Sequence, residues 1–178
     1  LVSRGLEAAV SERTANFHDL IWKRAGDRFE LAMEAVFPEH IRKKLTDQRY
    51  DRIRYELSVG MNPYDEISIL AESGFLKTAD PVLENPVTIP STLCSSLPGA
   101  FRIFHKNSDG KDEYCPEPCR SREENRKSVF RLGHRKSTLG NLLEDESLFP
   151  VSVWFKDLLT TGVRPFVLNS LAIRKASA

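Results

Sequence analysis

Residues 94–136 contain the side chains of this chain that are best suited to chemistry. All three cysteines lie there, together with His105 and His134. Zinc prefers thiolate and imidazole ligands, and structural zinc sites commonly pair two cysteines with two to four residues between them. The pattern indicates a zinc site formed by Cys115, Cys119, His134 and His105, with Cys94 as a substitute ligand.

The alternative is that Cys115 and Cys119 are surface thiols on a turn stiffened by Pro116 and Pro118. No second cysteine pair accompanies them in the sequence, and zinc is the only cofactor that the pattern indicates. A redox couple is disfavoured, because a CxxC pair at a helix amino end is the setting that lowers a thiol pKa. The choice between metal ligands and surface thiols stays open at this point.

Positive charge is densest in the same region. Arginine binds phosphate and carboxylate through two parallel hydrogen bonds, and aromatic rings stack on bases, so this composition suits a nucleic acid or an acidic partner surface. The alternative is a solvated face whose arginines pair with acids such as Glu144 and Glu146. The candidate binding residues are Arg120, Arg122, Arg126, Lys127, Arg131, Arg135 and Lys136.

Catalytic signatures are missing from the sequence, which has no HExxH, GxSxG or GxGxxG motif. Cys94 and His105 could form a nucleophile and its base, but nothing near them in sequence orients the imidazole. The sequence therefore favours a protein that binds over one that catalyses a reaction.

Bulk composition narrows the class of protein. Hydrophobic residues make up 40% and charged residues 29% of the 178 residues, with a net charge of +1. These values are typical of a globular domain and argue against wholesale disorder or indiscriminate coating of nucleic acid. No apolar stretch reaches the roughly 20 residues of a membrane span, and the odd cysteine count indicates a reducing, cytoplasmic location. The first residue, Leu1, hints at a bacterial or phage gene.

Helical periodicity dominates the interpretation of residues 1–77. Apolar residues recur every three or four positions from Leu6 to Val36, which predicts one long helix that ends before Pro38. Two shorter helices are expected next, one from Pro38 to Gly60 and one from Asn62-Pro63 to Gly74. The long helix could pair with these helices or with a partner protein.

The remaining residues divide into a proline-rich connector over 78–100 and a mixed α/β region over 101–178. Strands are expected at Phe101–His105 and Ser128–Leu132, with a turn at Asn107–Gly110. Short helices are expected at Thr138–Glu146 and from Pro150 to Gly162, followed by an apolar tail from Phe166 to Ile173. All three regions are expected to form one compact domain.

The predicted fold class is therefore α+β: a helical amino-terminal half followed by a small antiparallel sheet with two short carboxyl-terminal helices. The predicted function is a non-catalytic interaction or assembly protein, such as a subunit of a phage-type or nucleoprotein complex. A protein partner or self-association is expected, and no membrane contact. The alternative function is a nucleic-acid-binding domain whose basic loop is held by zinc.

Overall fold

A six-stranded antiparallel sheet is the centre of the structure, a computed structural model that describes residues 1–79, 99–107, 109–118 and 127–163. Each strand lies beside the next one in the chain, so the sheet is a simple meander. The strands are β1 (Arg28–Val36), β2 (Arg52–Met61), β3 (Ile67–Lys77), β4 (Phe101–Lys106), β5 (Asp112–Tyr114) and β6 (Ser128–Phe130). The helices are α1 (Leu6–Ser11), α2 (Glu39–Arg42) and α3 (Pro150–Asp157), which a π-helical turn extends to Gly162.

The predicted fold class, α+β with a helical amino-terminal half and a small sheet, was wrong. No long helix exists within residues 1–79: α1 ends at Ser11, and β1 to β3 take the place of the predicted helices. The protein is mostly sheet, and its longest helical segment among the described residues is the carboxyl-terminal one, from Pro150 to Gly162. Short 3₁₀ turns at Phe17–Leu20 and Trp22–Arg24 connect α1 to β1.

Strict alternation explains why β1 and β2 are strands. In β2, Ile53, Tyr55, Leu57 and Val59 point to one face of the sheet, and polar residues alternate with them. In β1, Phe29, Leu31, Met33 and Ala35 alternate with Arg28, Glu30 and Glu34 in the same way. Apolar residues at every second position also include pairs four apart, so the same residues gave a false helical signal.

Some predictions for the carboxyl-terminal region agree with the structure, and one helix prediction was wrong. The strands expected at Phe101–His105 and Ser128–Leu132 are present as β4 and β6, and Pro150 begins α3. The helix expected at Thr138–Glu146 is absent, since this segment forms turns. Leu139 and Leu142 are nevertheless buried, because the turns lie against the sheet.

The hydrophobic core lies between one face of the sheet and the segments that cover it. Tyr55 on β2 contacts Phe155 of α3 with their ring centroids 5.9 Å apart, and Phe149 contacts Tyr114 of β5. Phe17, between α1 and β1, packs on Phe29. We call this side of the sheet the core face.

The opposite face of the sheet carries paired charges together with one buried aromatic side chain, Phe75 of β3, which lies opposite Arg54. Arg54 of β2 is buried and bonds both Glu56 at 2.6 Å and Glu34 of β1 at 3.0 Å. Lys77 of β3 donates to the same oxygen of Glu34 at 2.7 Å. Charges therefore neutralise one another along this second face.

Several predicted features lie outside the described residues. These are most of the connector (80–98), the tail from Phe166 to Ile173, and Ser108 in the turn after β4. Among the described helices, none combines the length and the apolar character that a bilayer crossing needs.

Candidate functional site

Three of the predicted site residues lie around one small cavity on the second face of the sheet. His105 of β4, Cys115 just after β5 and Lys127 just before β6 line a cavity of about 220 Å³. Glu113 lies directly across the strand pair from His105 and also lines it, as does Arg102. The sheet register brings these residues together, since residues two apart on a strand share a face.

Burial shifts the pKa of both candidate side chains in this cavity. The Ser73 hydroxyl and His105 Nδ1 form a hydrogen bond of 2.9 Å. Burial lowers the pKa of His105 and raises the pKa of the Cys115 thiol. The imidazole is therefore mainly neutral at pH 7, which is the form that coordinates zinc, and the thiol is protonated, which disfavours it as a nucleophile.

His134 lies on the other side of the sheet from His105. Neighbouring residues of a strand point to opposite faces, and Lys106, next to His105, donates to the carbonyl of Gly133 at 2.8 Å. The described residues contain no group of three or more His, Cys, Asp and Glu side chains placed to hold a metal. Cys94 and Cys119 lie outside the described residues, so a zinc site that includes them stays a prediction.

The four basic candidates that the structure describes are all exposed. Lys127, Arg131 and Lys136 are exposed, while Arg120, Arg122 and Arg126 lie outside the described residues. Arg135 bonds Glu7 at 2.6 Å and approaches Glu66 at 3.5 Å. This pairing agrees with the alternative of a surface arginine matched by acids, and contact with nucleic acid stays a prediction.

A buried carboxylate on the core face was missed by the sequence interpretation. Glu72 of β3 is fully buried and accepts hydrogen bonds from the Tyr55 hydroxyl, the Ser137 hydroxyl and the N–H groups of Thr138 and Leu139. Burial raises its pKa. The one sign of this site in the sequence is an acidic residue at a strand position whose side chain faces the core. Glu72 fixes residues 137–139 beneath the sheet, and it does not line the cavity around His105 and Cys115.

A buried ion pair between β4 and β5 holds Leu132 and Gly133, which precede the residues that Glu72 binds. Lys106 of β4 and Asp112 of β5 lie opposite each other, 2.7 Å apart and fully buried. Asp112 also accepts from the Leu132 N–H at 3.1 Å and the Thr138 hydroxyl at 2.5 Å. Lys106 also donates to the Gly133 carbonyl, so the pair ties residues 132, 133 and 138 to the sheet.

The outer edge of β1 carries a row of backbone groups that no described strand pairs. The residues that flank β1, Asp27 and Phe37, are both odd-numbered, and both bond the segment that contains β2. The Phe37 N–H donates to the Asp51 carbonyl, and the Asp27 carbonyl accepts from the Met61 N–H. Hydrogen-bonded pairs alternate with non-bonded ones in an antiparallel ladder. The N–H and C=O groups of Arg28, Glu30, Ala32, Glu34 and Val36 therefore point away from β2, and no described strand lies beside them.

Apolar side chains follow this edge. Leu31 is 49% exposed, Met33 38% and Val36 65%. Phe29 and Leu31 also line an open cavity of about 370 Å³, whose other lining residues include Leu6, Val10, Leu20, Leu57 and Arg13. A long edge strand with exposed apolar residues is a template for pairing with another chain.

Comparisons with known proteins gave no match: no family model, no curated sequence and no solved structure is significantly similar to this chain. Any function assigned to the chain must therefore rest on its own residues and their geometry.

Proposed function

We propose that this chain is a non-catalytic interaction module that binds an extended polypeptide segment along the edge of β1. The observation that carries the proposal is the row of outward-pointing backbone groups from Arg28 to Val36. A segment added there gains main-chain hydrogen bonds along its length, which is the general mode of strand addition.

Both sides of this edge are suited to an added strand. On the core face, Leu31 and Met33 are partly exposed, so apolar side chains of the incoming segment would bury them. On the second face, Glu34 is paired with Arg54 and Lys77, and Arg28 lies 3.3 Å from Glu30. The charges that could repel another chain are thus largely neutralised.

We also place the protein in the cytoplasm. The support is the free thiol of Cys115 together with the odd number of cysteines, because reducing compartments keep thiols unpaired.

The test is an Ala32→Pro substitution. Proline removes the outward N–H of Ala32 and leaves the hydrogen bonds between β1 and β2 in place, since proline is tolerated where an edge N–H faces solvent. The matched control is Ala32→Val, which keeps the N–H and favours a strand. The probe is a panel of end-blocked nine-residue peptides with alternating apolar and polar residues, measured by fluorescence anisotropy and amide hydrogen exchange.

We expect at least one peptide to bind the natural protein and Ala32→Val, and to bind Ala32→Pro about tenfold more weakly or not at all. Bound peptide should slow exchange at the amides of Glu30, Ala32 and Glu34, which point outward. If no peptide protects these amides, or if binding is indifferent to proline, the proposal is wrong. Thermal unfolding of each variant shows that the fold is retained.

A further inference from the structure

Charge and register along β1 identify a partner for this edge. We infer that the segment bound there is β1 of a second copy of the chain, paired antiparallel with Leu31 on the two-fold axis. This inference rests on the proposed function, because it names the occupant of the same edge. A two-fold axis closes the assembly at a dimer and uses the exposed edge of both copies.

The sequence of the strand selects one register. With Leu31 opposite Leu31, each Arg28 lies opposite Glu34 of the second copy, and the outward backbone groups of both strands come into hydrogen-bonding positions. Opposite charges directly across a strand pair stabilise it. The two symmetry-related contacts form together, one at each end of the paired segment.

The neighbouring registers lack this match. A shift that puts Ala32 on the axis places Glu30 opposite Glu34, and a shift that puts Glu30 on the axis places Glu30 opposite itself. Like charges directly opposite each other destabilise a strand pair. A shift that puts Met33 on the axis sets no opposite charges across from each other. A shift that puts Phe29 on the axis sets Arg28 opposite Glu30, but it pairs only residues 28–30 of each strand, whereas Leu31 on the axis pairs residues 28–34. Charge and length of overlap together therefore favour the register with Leu31 on the axis.

The side chains are placed to make these contacts. Arg28 is exposed, and its neighbour Glu30 lies 3.3 Å away, a loose ion pair. Both described donors to Glu34, from Arg54 and Lys77, bond its Oε1 atom, which leaves Oε2 to accept from Arg28 of the second copy. On the core face the same register sets Phe29 opposite Met33 and brings the two Leu31 side chains together. The pairing would thus cover the partly exposed Leu31 and Met33 side chains.

Disulfide trapping tests the register. Residues at a non-hydrogen-bonded position of an antiparallel pair have Cα atoms about 4.5 Å apart, within the range that a disulfide spans. A Leu31→Cys variant should therefore form an intermolecular disulfide under mild oxidation. In a Met33→Cys control, the two cysteines would lie four residues apart along the paired strands, roughly 13 Å, which is beyond disulfide reach. Mass spectrometry of the tryptic peptide from Phe29 to Arg42, which contains no natural cysteine, identifies the bond.

A mixing experiment tests the charge pairing. Arg28→Glu and Glu34→Lys should each weaken the dimer in sedimentation equilibrium, since each places like charges opposite each other. Mixed together, the two variants should form heterodimers in preference to either homodimer by about tenfold, because both ends of the pair then match. Native mass spectrometry distinguishes the species, and thermal unfolding confirms that each variant is folded.

The outcomes separate this inference from the proposed function. Peptides that bind the β1 edge, combined with a monomeric natural protein at all concentrations and no disulfide at Leu31→Cys, would overturn the second-copy assignment and leave strand addition standing. A disulfide at Met33→Cys and none at Leu31→Cys would also overturn it. If neither peptides nor a second copy engage the edge, both proposals fail.

Discussion

Ser152 donates two hydrogen bonds to one oxygen of Glu117: its N–H lies 2.8 Å and its hydroxyl 2.7 Å from Oε1. The other oxygen, Oε2, accepts from the Val151 N–H at 2.8 Å. A carboxylate from the loop after β5 therefore satisfies the first N–H groups of α3, which the helix itself cannot pair. This contact joins the sheet to the helix that covers its core face.

The Glu117 contact should make stability depend on pH. Burial raises the pKa of Glu117 from 4.5 to about 7. The folded protein thus holds a proton that the unfolded chain releases, so the contribution is full below pH 4.5 and is lost as pH rises to about 7. We expect the free energy of unfolding to fall across this window.

Chemical denaturation at several pH values measures this fall. A Glu117→Gln variant should show a shallower fall, because its side chain does not titrate. An unchanged slope in Glu117→Gln would show that the carboxyl of Glu117 does not cause it. Glu72 also has a raised pKa, so part of the slope should remain.

Glu72→Ala should destabilise the fold by about 3 kcal/mol or more. The substitution leaves the Ser137 hydroxyl and the N–H groups of Thr138 and Leu139 without their partner, and each unsatisfied buried group costs about 1–3 kcal/mol. Urea denaturation measures the loss. The matched control is Glu66→Ala, which removes an exposed acid near Arg135 and should cost less than about 1 kcal/mol. Equal losses in the two variants would refute the role given to Glu72.

Lys106→Met should cost about 3–5 kcal/mol, because it leaves Asp112 charged and buried without its counterion. Adding Asp112→Asn should recover part of this loss, since the uncompensated charge is then removed. A double-mutant cycle by urea denaturation gives the coupling energy between the two residues. Additive losses in the double variant would mean that the pair is not coupled.

Gly74→Ala should destabilise the sheet by about 1–3 kcal/mol through overpacking. An added Cβ atom would lie 2.5 Å from Cζ of Phe104, a buried ring on the adjacent strand β4. Phe104→Leu shortens that side chain, so the cost of Gly74→Ala should be smaller in this background. Thermal unfolding of the four proteins of the cycle checks the expectation.

Local signals in the sequence were enough for some elements. Pro150 followed by an apolar helical face predicted α3, and alternation predicted β4 and β6. These signals depend on the intrinsic preferences of a few neighbouring residues. The alternation of Ile53, Tyr55, Leu57 and Val59 is equally local, but it also satisfies a helical spacing in part, and the helical interpretation of residues 1–77 was wrong for that reason.

The candidate sites depend on contacts between residues far apart in the chain. Ser137 reaches Glu72 across 65 positions of sequence, and His105 and Cys115 meet at one cavity because β4 pairs with β5. The sequence grouped His105 with His134, which the sheet places on opposite faces, because sequence distance does not record which face of a strand a side chain occupies.

By itself the sequence determined the composition of a globular chain, its balanced charge and the approximate positions of β4, β6 and α3. Tertiary structure decided that residues 28–77 form three strands, that Glu72 and the Lys106–Asp112 pair are buried, and that β1 lies at an edge. Strand pairing is the physical reason. A strand is stabilised by the residues across from it, and which residues these are depends on the fold and not on the strand's neighbours in the sequence.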